Sequence, residues 1–417
     1  MINHISEIDA SYSPMINSNH FNNDNRSNHG PFVDDIIFEI LHFLDSLFII
    51  QICMKISKQW RQVSFQIPLS LSFQQNLLKQ VSESIKLLAN CEYLKNLTCL
   101  NLGGNEIGNE GVKYIANSER LKNLTSLDLR YNEIDNEGVT YIANSKCLKN
   151  LTCLNLKHNR IGSEGVKYIA NSEWLKNLIY LNLSFNEIGS EGVKYIANSE
   201  CLKNLISLNL LLSRIGNEGV IYIANSECLK NLTYLKLVKN RIGYEGVKFI
   251  AKSIYMNNLT NLNLGFNEIN KECVECIASS ECLKNLTSLE LKGNEIGNES
   301  VKYIANSECL KNLTHLSLKH NRIGSEGVRY IANSECLTNL TSLDLYYNEI
   351  NNEGVKYIVN SECLKNLISL DLSCNRIDHE GIDYISNNAW FKNLISLELQ
   401  GNPRVDNNNW LNLNGFF

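Results

Sequence analysis

LTSLDLRYNEIDNEGVTYIANSKCLKN, residues Leu124–Asn150, comes back with small changes along most of this 417-residue chain. The words at its end are the most persistent: YIANSECLKN stands unaltered at Tyr195–Asn204, Tyr222–Asn231 and Tyr303–Asn312. Its first leucine has counterparts at Leu97, Leu151, Leu178, Leu205, Leu232, Leu259, Leu286, Leu313, Leu340, Leu367 and Leu394. Every interval is 27 residues, which makes twelve units without an insertion. A fixed period of this size marks stacked supersecondary units, each too small to bury its apolar face alone.

The two halves of the stretch differ in periodicity. Leu127 and Leu129 alternate with Ser126, Asp128 and Arg130, which predicts a short half-buried strand. Asn132 ends it, and an inward-turned Asn can bond backbone groups that the bend leaves unpaired. That column is Asn in eleven units and Ser213 in one. Val139, Ile142 and Ala143 then form an i, i+3, i+4 stripe, the mark of a helix lying on a core. Asn136, or Ser163 in the next unit, is expected at the N-cap, and the Glu that follows favours the positive helix end. Asn144-Ser145 closes the helix and Leu148 re-enters the core.

A strand–helix unit with this leucine spacing resembles the leucine-rich repeat, from Leu97 to Arg404. The helical second half and the phrase I-G-x-E-G-V are similar to its ribonuclease-inhibitor-like and cysteine-containing subclasses. The resemblance implies an α/β solenoid, a right-handed horseshoe of twelve strand–helix units whose strands form a concave parallel sheet roughly 55 Å long. Residues 64–96 are expected to hold a link, Ser64–Glu83, and a capping half-repeat, because SIKLLANCEYLKN (Ser84–Asn96) matches GVKYIANSERLKN. Beyond residue 404 the helix is lost: Pro403 and Asn407–Asn409 block another unit, and Trp410, Leu411 and Phe416 in residues 405–417 are expected to cover the last core layer.

What varies is the strand positions that point away from the core. They include Asp128, Arg130, Tyr131, Lys157, His158, Tyr180, Phe185, Lys236, Lys239 and Phe266, then Glu290, Lys319, His320, Asp344, Tyr346, Tyr347 and Asp371. A rigid frame that displays variable Tyr, Phe and Arg on one surface is expected to bind a target protein there. Leu156–Glu173 and Leu318–Glu335 differ only at Lys167 and Arg329, so Lys157-His158 and Lys319-His320 also read as copies left by duplication.

Composition excludes several classes. A net charge of −5 lacks the basic excess of a nucleic-acid binder. No stretch approaches the ~20 apolar residues of a membrane span. The opening thirty residues, Asn- and Ser-rich, are expected to be disordered and lack the basic end and apolar middle of a signal peptide. Seven of the 14 cysteines (Cys147, Cys201, Cys228, Cys282, Cys309, Cys336, Cys363) share one repeat position, where Arg120, Trp174, Tyr255 and Trp390 also occur; the column reads as a half-buried apolar slot in a reducing cytoplasm or nucleus, not a metal ladder. Cys273 and Cys276 form a lone C-x-x-C inside a helical half. Asn-Leu-Thr recurs as a formal glycosylation acceptor, but its position in the repeat marks it as framework. Phosphate-cradling and nucleophile motifs are absent, so neither catalysis nor a cofactor is expected.

Residues 31–63, PFVDDIIFEILHFLDSLFIIQICMKISKQWRQV, break the pattern. Ile36, Ile37, Ile40, Leu41, Phe43 and Leu44 cover more than one helix face, and about 35 residues cannot bury that much surface alone. The order Phe32-Val33-Asp34-Asp35-Ile36-Ile37-Phe38-Glu39-Ile40-Leu41, then Phe43-Leu44-Asp45, Ile49-Ile50 and Ile56-Ser57-Lys58-Gln59-Trp60-Arg61, resembles the F-box. Val33 departs from its proline, Phe48 from its common Asp, and one extra residue precedes Trp60. The resemblance implies docking on a Skp-family adaptor of a cullin–RING ubiquitin ligase, with Phe32, Ile36, Ile37, Ile40, Leu41, Phe43, Leu44 and Trp60 making adaptor contacts or ordering the module. The repeats would then capture the protein to be ubiquitinated. The other readings are a leucine-rich scaffold uncoupled from ubiquitin, such as a small-GTPase regulator or an effector, with residues 31–63 as a helical cap, and a surface adhesin.

Overall fold

A computed structural model describes residues 34–388, apart from 43, 45, 47–48 and 74–80, and residues 394–403. The chain divides into two compact units, residues 1–182 and 183–417. The expected tail (1–30), the C-terminal cap (405–417), Phe32, Phe43 and Trp390 lie outside the described residues.

The first unit opens with helix α1 (Asp34–His42), a π-helical turn (Ile49–Cys53) and helix α2 (Lys58–Ser64). Ser57 caps α2 by accepting from the Trp60 N–H at 3.2 Å. Gln59 Nε2 ties α2 to α1 by donating to Asp34 Oδ1 at 2.8 Å. Phe65 stacks on Tyr93 with ring centroids 6.5 Å apart, and the Lys95 ammonium lies 3.7 Å from the Phe65 centroid. The residue that follows α2 is therefore packed on the capping half-repeat.

The segment expected as a link carries strand β1 (Leu69–Ser72), followed by helix α3 (Val81–Asn90). Leu69 and Leu71 are buried while Ser70 and Ser72 are exposed, the alternation of a half-covered strand. It pairs parallel with β2 (Leu97–Asn101), but the register slips between Leu69 and Ser70. That bulge breaks the 27-residue spacing, which is why the period alone starts the stack one strand late. Strands β3 (Ser126–Asp128), β4 (Cys153–Asn155) and β5 (Tyr180–Asn182) continue the parallel sheet of this unit.

In the second unit, β6 (Ser207–Asn209), β7 (Tyr234–Lys236), β8 (Asn261–Asn263), β9 (Ser288–Glu290), β10 (His315–Ser317), β11 (Ser342–Asp344), β12 (Ser369–Asp371) and β13 (Ser396–Glu398) pair in sequence order, each parallel to the next. Each strand from β6 to β12 leads to a helix, and the leucines and isoleucines of both meet in one core. In the repeat quoted above, Leu127, Leu129, Ile134, Val139, Ile142 and Leu148 are fully buried. Each such side chain contributes about 1.5–3 kcal/mol relative to exposure.

The repeated polar letters are the joints between repeats. Asn132 Nδ2 donates to the carbonyls of Leu102 and Arg130, while its Oδ1 accepts from the N–H groups of Asn105 and Ile107 in the preceding repeat. Asn240, Asn294 and Asn321 make the same donation to the repeat before. Ser145 and Ser226 donate to Ala116 and Ala197, each 29 residues earlier, at 2.5 Å. The Asn of Asn-Leu-Thr also has framework work: Asn231 Nδ2 donates to the Lys203 carbonyl at 2.9 Å, and Asn312 to that of Lys284 at 2.8 Å.

One local expectation is corrected. Asn136 and Ser163 are the first helical residues, and the N-caps are Asp135, which accepts from the Glu137 N–H at 2.8 Å, and Gly162. Asn136 instead reaches forward, its Oδ1 accepting from the N–H groups of Gly162 and Gly165 at 2.8 and 3.0 Å. It thus serves the orphan donors of the next helix, where Gly162 has no side chain to do so.

Candidate functional site

The variable positions fall on the strand face as the alternation requires, and a second device spreads them. The residue just before the Asn column has positive φ: Tyr131 (55°), His158 (54°), Phe185 (56°), Lys239 (55°), Phe266 (50°), His320 (54°) and Tyr347 (53°). Glycine occupies the same column at Gly104, Gly293 and Gly401. Left-handed backbone costs a side-chain-bearing residue about 1–2 kcal/mol. Aromatic residues therefore recur where glycine is conformationally favoured, a pattern found at binding surfaces.

In the first unit, Tyr131 stacks on His158 with centroids 4.4 Å apart and planes inclined by 25°. The Lys157 ammonium lies 5.3 Å from the Tyr131 centroid. Beside them, Asp128 Oδ2 takes Arg130 Nε at 3.3 Å and Asn155 Nδ2 at 3.1 Å. Tyr180 is half-buried, accepts from Asn182 Nδ2 at 3.3 Å, and its hydroxyl is pushed up by burial. Tyr131 and His158 also line a shallow cavity of about 280 Å³ with Gly104, Glu106, Glu133, Asn159 and Arg160.

The second unit gathers a larger group. Phe266 and His320 lie 6.4 Å apart, His320 stacks on Tyr347 at 4.4 Å, and Tyr346 meets His320 edge-on at 5.2 Å. Between Phe266 and His320 the column holds Gly293, and a Cβ there would fall 2.5 Å from the Phe266 ring. The glycine is what lets that ring lie across its repeat. Lys239 and Lys292 approach the Phe266 centroid to 5.1 and 5.2 Å.

Lys319 is bound differently, 2.6 Å from Asp344 and 3.8 Å from Asp371. Partial burial opposes its charge, but the Asp344 hydrogen bond and both carboxylates outweigh that and hold its pKa above the ordinary value. His320 is held below the ordinary value by burial and by Lys292 and Lys319, with Asp344 opposing. Tyr346 is pushed up, chiefly through a hydrogen bond with Cys374. Lys236 is half-buried on β7, and Phe185 opens the second unit in the same column as Tyr131.

Sequence reasoning missed Lys292, Gly293 and Cys374. Lys292 had a signal, since it shares the column of Arg130, Lys157 and Lys319. The glycine reads as an ordinary turn until the neighbouring ring is seen.

The module residues divide by burial. Ile37 and Leu41 are fully buried, while Leu44 and Trp60 are half-buried. Ile36 and Ile40, one turn apart on α1, are 48% and 38% exposed, and Ile52 within the π-helical turn and Ile56 after it are 48% and 54% exposed.

The cysteine column is quiet. Cys147 Sγ lies 3.5 Å from Glu119 Oε1 and Cys228 Sγ 3.6 Å from Glu200 Oε1, and both thiols are pushed up, burial being the main cause. Cys363 is pushed up to about 11 by burial. Among the described residues, no cluster of His, Cys, Asp and Glu is placed to hold a metal ion, and no helix is long and apolar enough to cross a membrane.

The family model described as Leucine Rich repeat matches residues 93–116, 120–143, 147–170, 175–197, 228–251, 255–278, 282–305, 309–332, 336–359 and 363–386. The repeat it passes over, between 197 and 228, is the one with Ser213 in the Asn column. No curated protein matches the sequence. Among solved structures, a chain of the yeast Rad7–Elc1 complex aligns over 82% of this chain and 83% of its own length, with 16% identity and a TM-score of 0.53. An internalin (inlF) from Listeria monocytogenes aligns over 78% of this chain and 90% of its own, with 21% identity and a TM-score of 0.47.

Proposed function

This chain belongs to the leucine-rich repeat family, a protein-interaction scaffold, and on that premise we propose that it is the target-binding adaptor of a Skp–cullin–F-box ubiquitin ligase. The module at residues 31–63 docks on the Skp-family subunit, the strand face holds the target, and the chain performs no catalysis itself. Its contribution is positional: a rigid frame raises the effective concentration of a bound lysine-bearing protein near ligase-carried ubiquitin.

The observation that carries this reading is the apolar surface left bare on the module. Ile36 and Ile40 form an exposed stripe on α1, with Ile52 and Ile56 exposed nearby in sequence, while Ile37 and Leu41 fill the module's own core. Apolar side chains spaced one turn apart on a short helix suit a partner groove.

The test is a pull-down of the full chain with a purified Skp-family protein, beside an Ile36→Asp/Ile40→Asp variant. These positions are chosen because they are exposed, so circular dichroism of the repeats should not change. Binding that the variant loses supports the adaptor reading; no binding by the intact chain sinks it. The second reading, a scaffold uncoupled from ubiquitin, draws on the contacts of Phe65 with Tyr93 and Lys95, which would suit a plain N-terminal cap.

A further inference from the structure

We propose that the strand face from β7 to β11 is a docking surface for an extended acidic peptide, in which two carboxylates three residues apart meet Lys239 and Lys292 and a following aromatic side chain packs on His320 and Tyr347. The inference rests on the strand-face reading above and narrows it to one ligand chemistry.

Charge gives the first reason. Among the described residues, no ion pair includes Lys236, Lys239 or Lys292. Lys319, in the column of Lys292, is instead held by Asp344 and Asp371. Glu290, the acid at the end of β9 in the repeat of Lys292, is bonded to Asn263 Nδ2 on β8. Lys239 and Lys292 thus bring two ammoniums, neither in an ion pair among the described residues, to one phenyl ring, at 5.1 and 5.2 Å. Like charges so placed repel, and an anion settling beside them relieves the repulsion.

Spacing gives the second. Lys239 and Lys292 belong to repeats two strands apart, about 10 Å at the usual strand separation, and three residues of extended peptide span the same length. One further strand leads to the ring of His320 and two lead to that of Tyr347, the latter 57% exposed. Polarity follows from the acids: Asp344 and Asp371 lie at the aromatic end and repel a carboxylate there, so the acidic end belongs over β7–β9.

The experiment uses the full chain and a fluorescein-labelled peptide, Gly-Ser-Glu-Gly-Ser-Glu-Gly-Ser-Phe-Gly, read by fluorescence anisotropy. Saturable binding is expected, weakening as salt rises, and Kd should increase about tenfold or more with Gln in place of both Glu, with Lys292→Glu or with Lys239→Glu. Equal binding of the Gln peptide, or no effect of either reversal, overturns the inference. So does binding confined to a phosphoserine version of the peptide. A random-peptide display selection separates this from the broader reading. Selected peptides that need Phe266 and Tyr347, by alanine substitution, but carry no acids overturn the acidic-peptide inference alone. If no selected peptide needs them, both readings fall.

Discussion

The side-chain oxygen of Asn217 accepts a hydrogen bond from the backbone N–H of Gly246, one repeat further on, at 3.1 Å. A Cβ on Gly246 would stand 2.8 Å from that oxygen. The same relation joins Asn136 to Gly165 and Asn298 to Gly327. Two repeats break the glycine column, at Cys273 and Ser300, and the repeats before them carry Tyr244 and Lys271 where Asn217 stands. The letter is free to change where the oxygen that forbids it is gone.

Gly246→Ala should therefore destabilise the chain by about 1–3 kcal/mol, through crowding and a displaced bond. Combined with Asn217→Ala, the loss should fall short of the sum of the two single losses by about 1 kcal/mol. Chemical denaturation of the four proteins reads the cycle, and strict additivity would sink the account.

Ser213 is the weak rung of the Asn ladder. Its hydroxyl reaches the carbonyls of Leu183 and Leu211 only at 3.4 Å each, whereas Asn240 Nδ2 reaches Leu210 at 2.7 Å. Ser213→Asn should raise stability by about 1 kcal/mol, seen as a higher denaturation midpoint. Asn321→Ala, which removes donations to Leu291 and Lys319 and an acceptor for Asn294 and Ile296, should cost about 2–4 kcal/mol. Equal midpoints for wild type and Ser213→Asn would mean that the ladder tolerates either residue.

His320 should titrate below the ordinary histidine value of 6.5, because burial and the Lys292 and Lys319 charges disfavour its cation. Between the folded and unfolded values the unfolded chain binds more protons, so stability falls as pH drops through that window and is unaffected by this group above it. His320→Gln should flatten that part of the pH profile. Proton NMR of the ring gives the value directly, and a midpoint at or above 6.5 would contradict the prediction.

The Cys363 thiol, pushed up to about 11 by burial, should be slow to alkylate. At pH 8 its thiolate fraction is on the order of a hundredfold below that of an ordinary thiol. Mass-spectrometric timing of iodoacetamide labelling, with glutathione as the reference, checks this; comparable rates would show the site to be open.

A good deal of this was legible in the letters. The 27-residue period, the two leucines of each strand and the i, i+3, i+4 helix stripe are local patterns, and packing had only to satisfy them. The Asn column was legible for the same reason, since a residue that repeats at a bend must serve backbone. Strand β1 was not, because its bulge slips the register and hides it from any search at fixed spacing. The helix caps were misplaced by one residue, because Asn136 bonds a helix that begins 27 residues later.

The two copies of Lys-His mark the boundary between what sequence alone determines and what requires the fold. Leu156–Glu173 and Leu318–Glu335 are nearly the same words, and they make the same turn and helix, Ser163–Ala170 and Ser325–Ala332. Their surroundings then part. His158 stacks on Tyr131 in the repeat before it, where His320 has Gly293, and so His320 stacks on Tyr347 in the repeat after. Lys157 lies over Tyr131, while Lys319 is held by Asp344, whose counterpart in the first unit is Asn182. Sequence determined each repeat, because backbone propensity and apolar spacing act within a few residues. Tertiary structure decided which charges stay unpaired and which rings meet, because the partners of a strand-face side chain lie one repeat away.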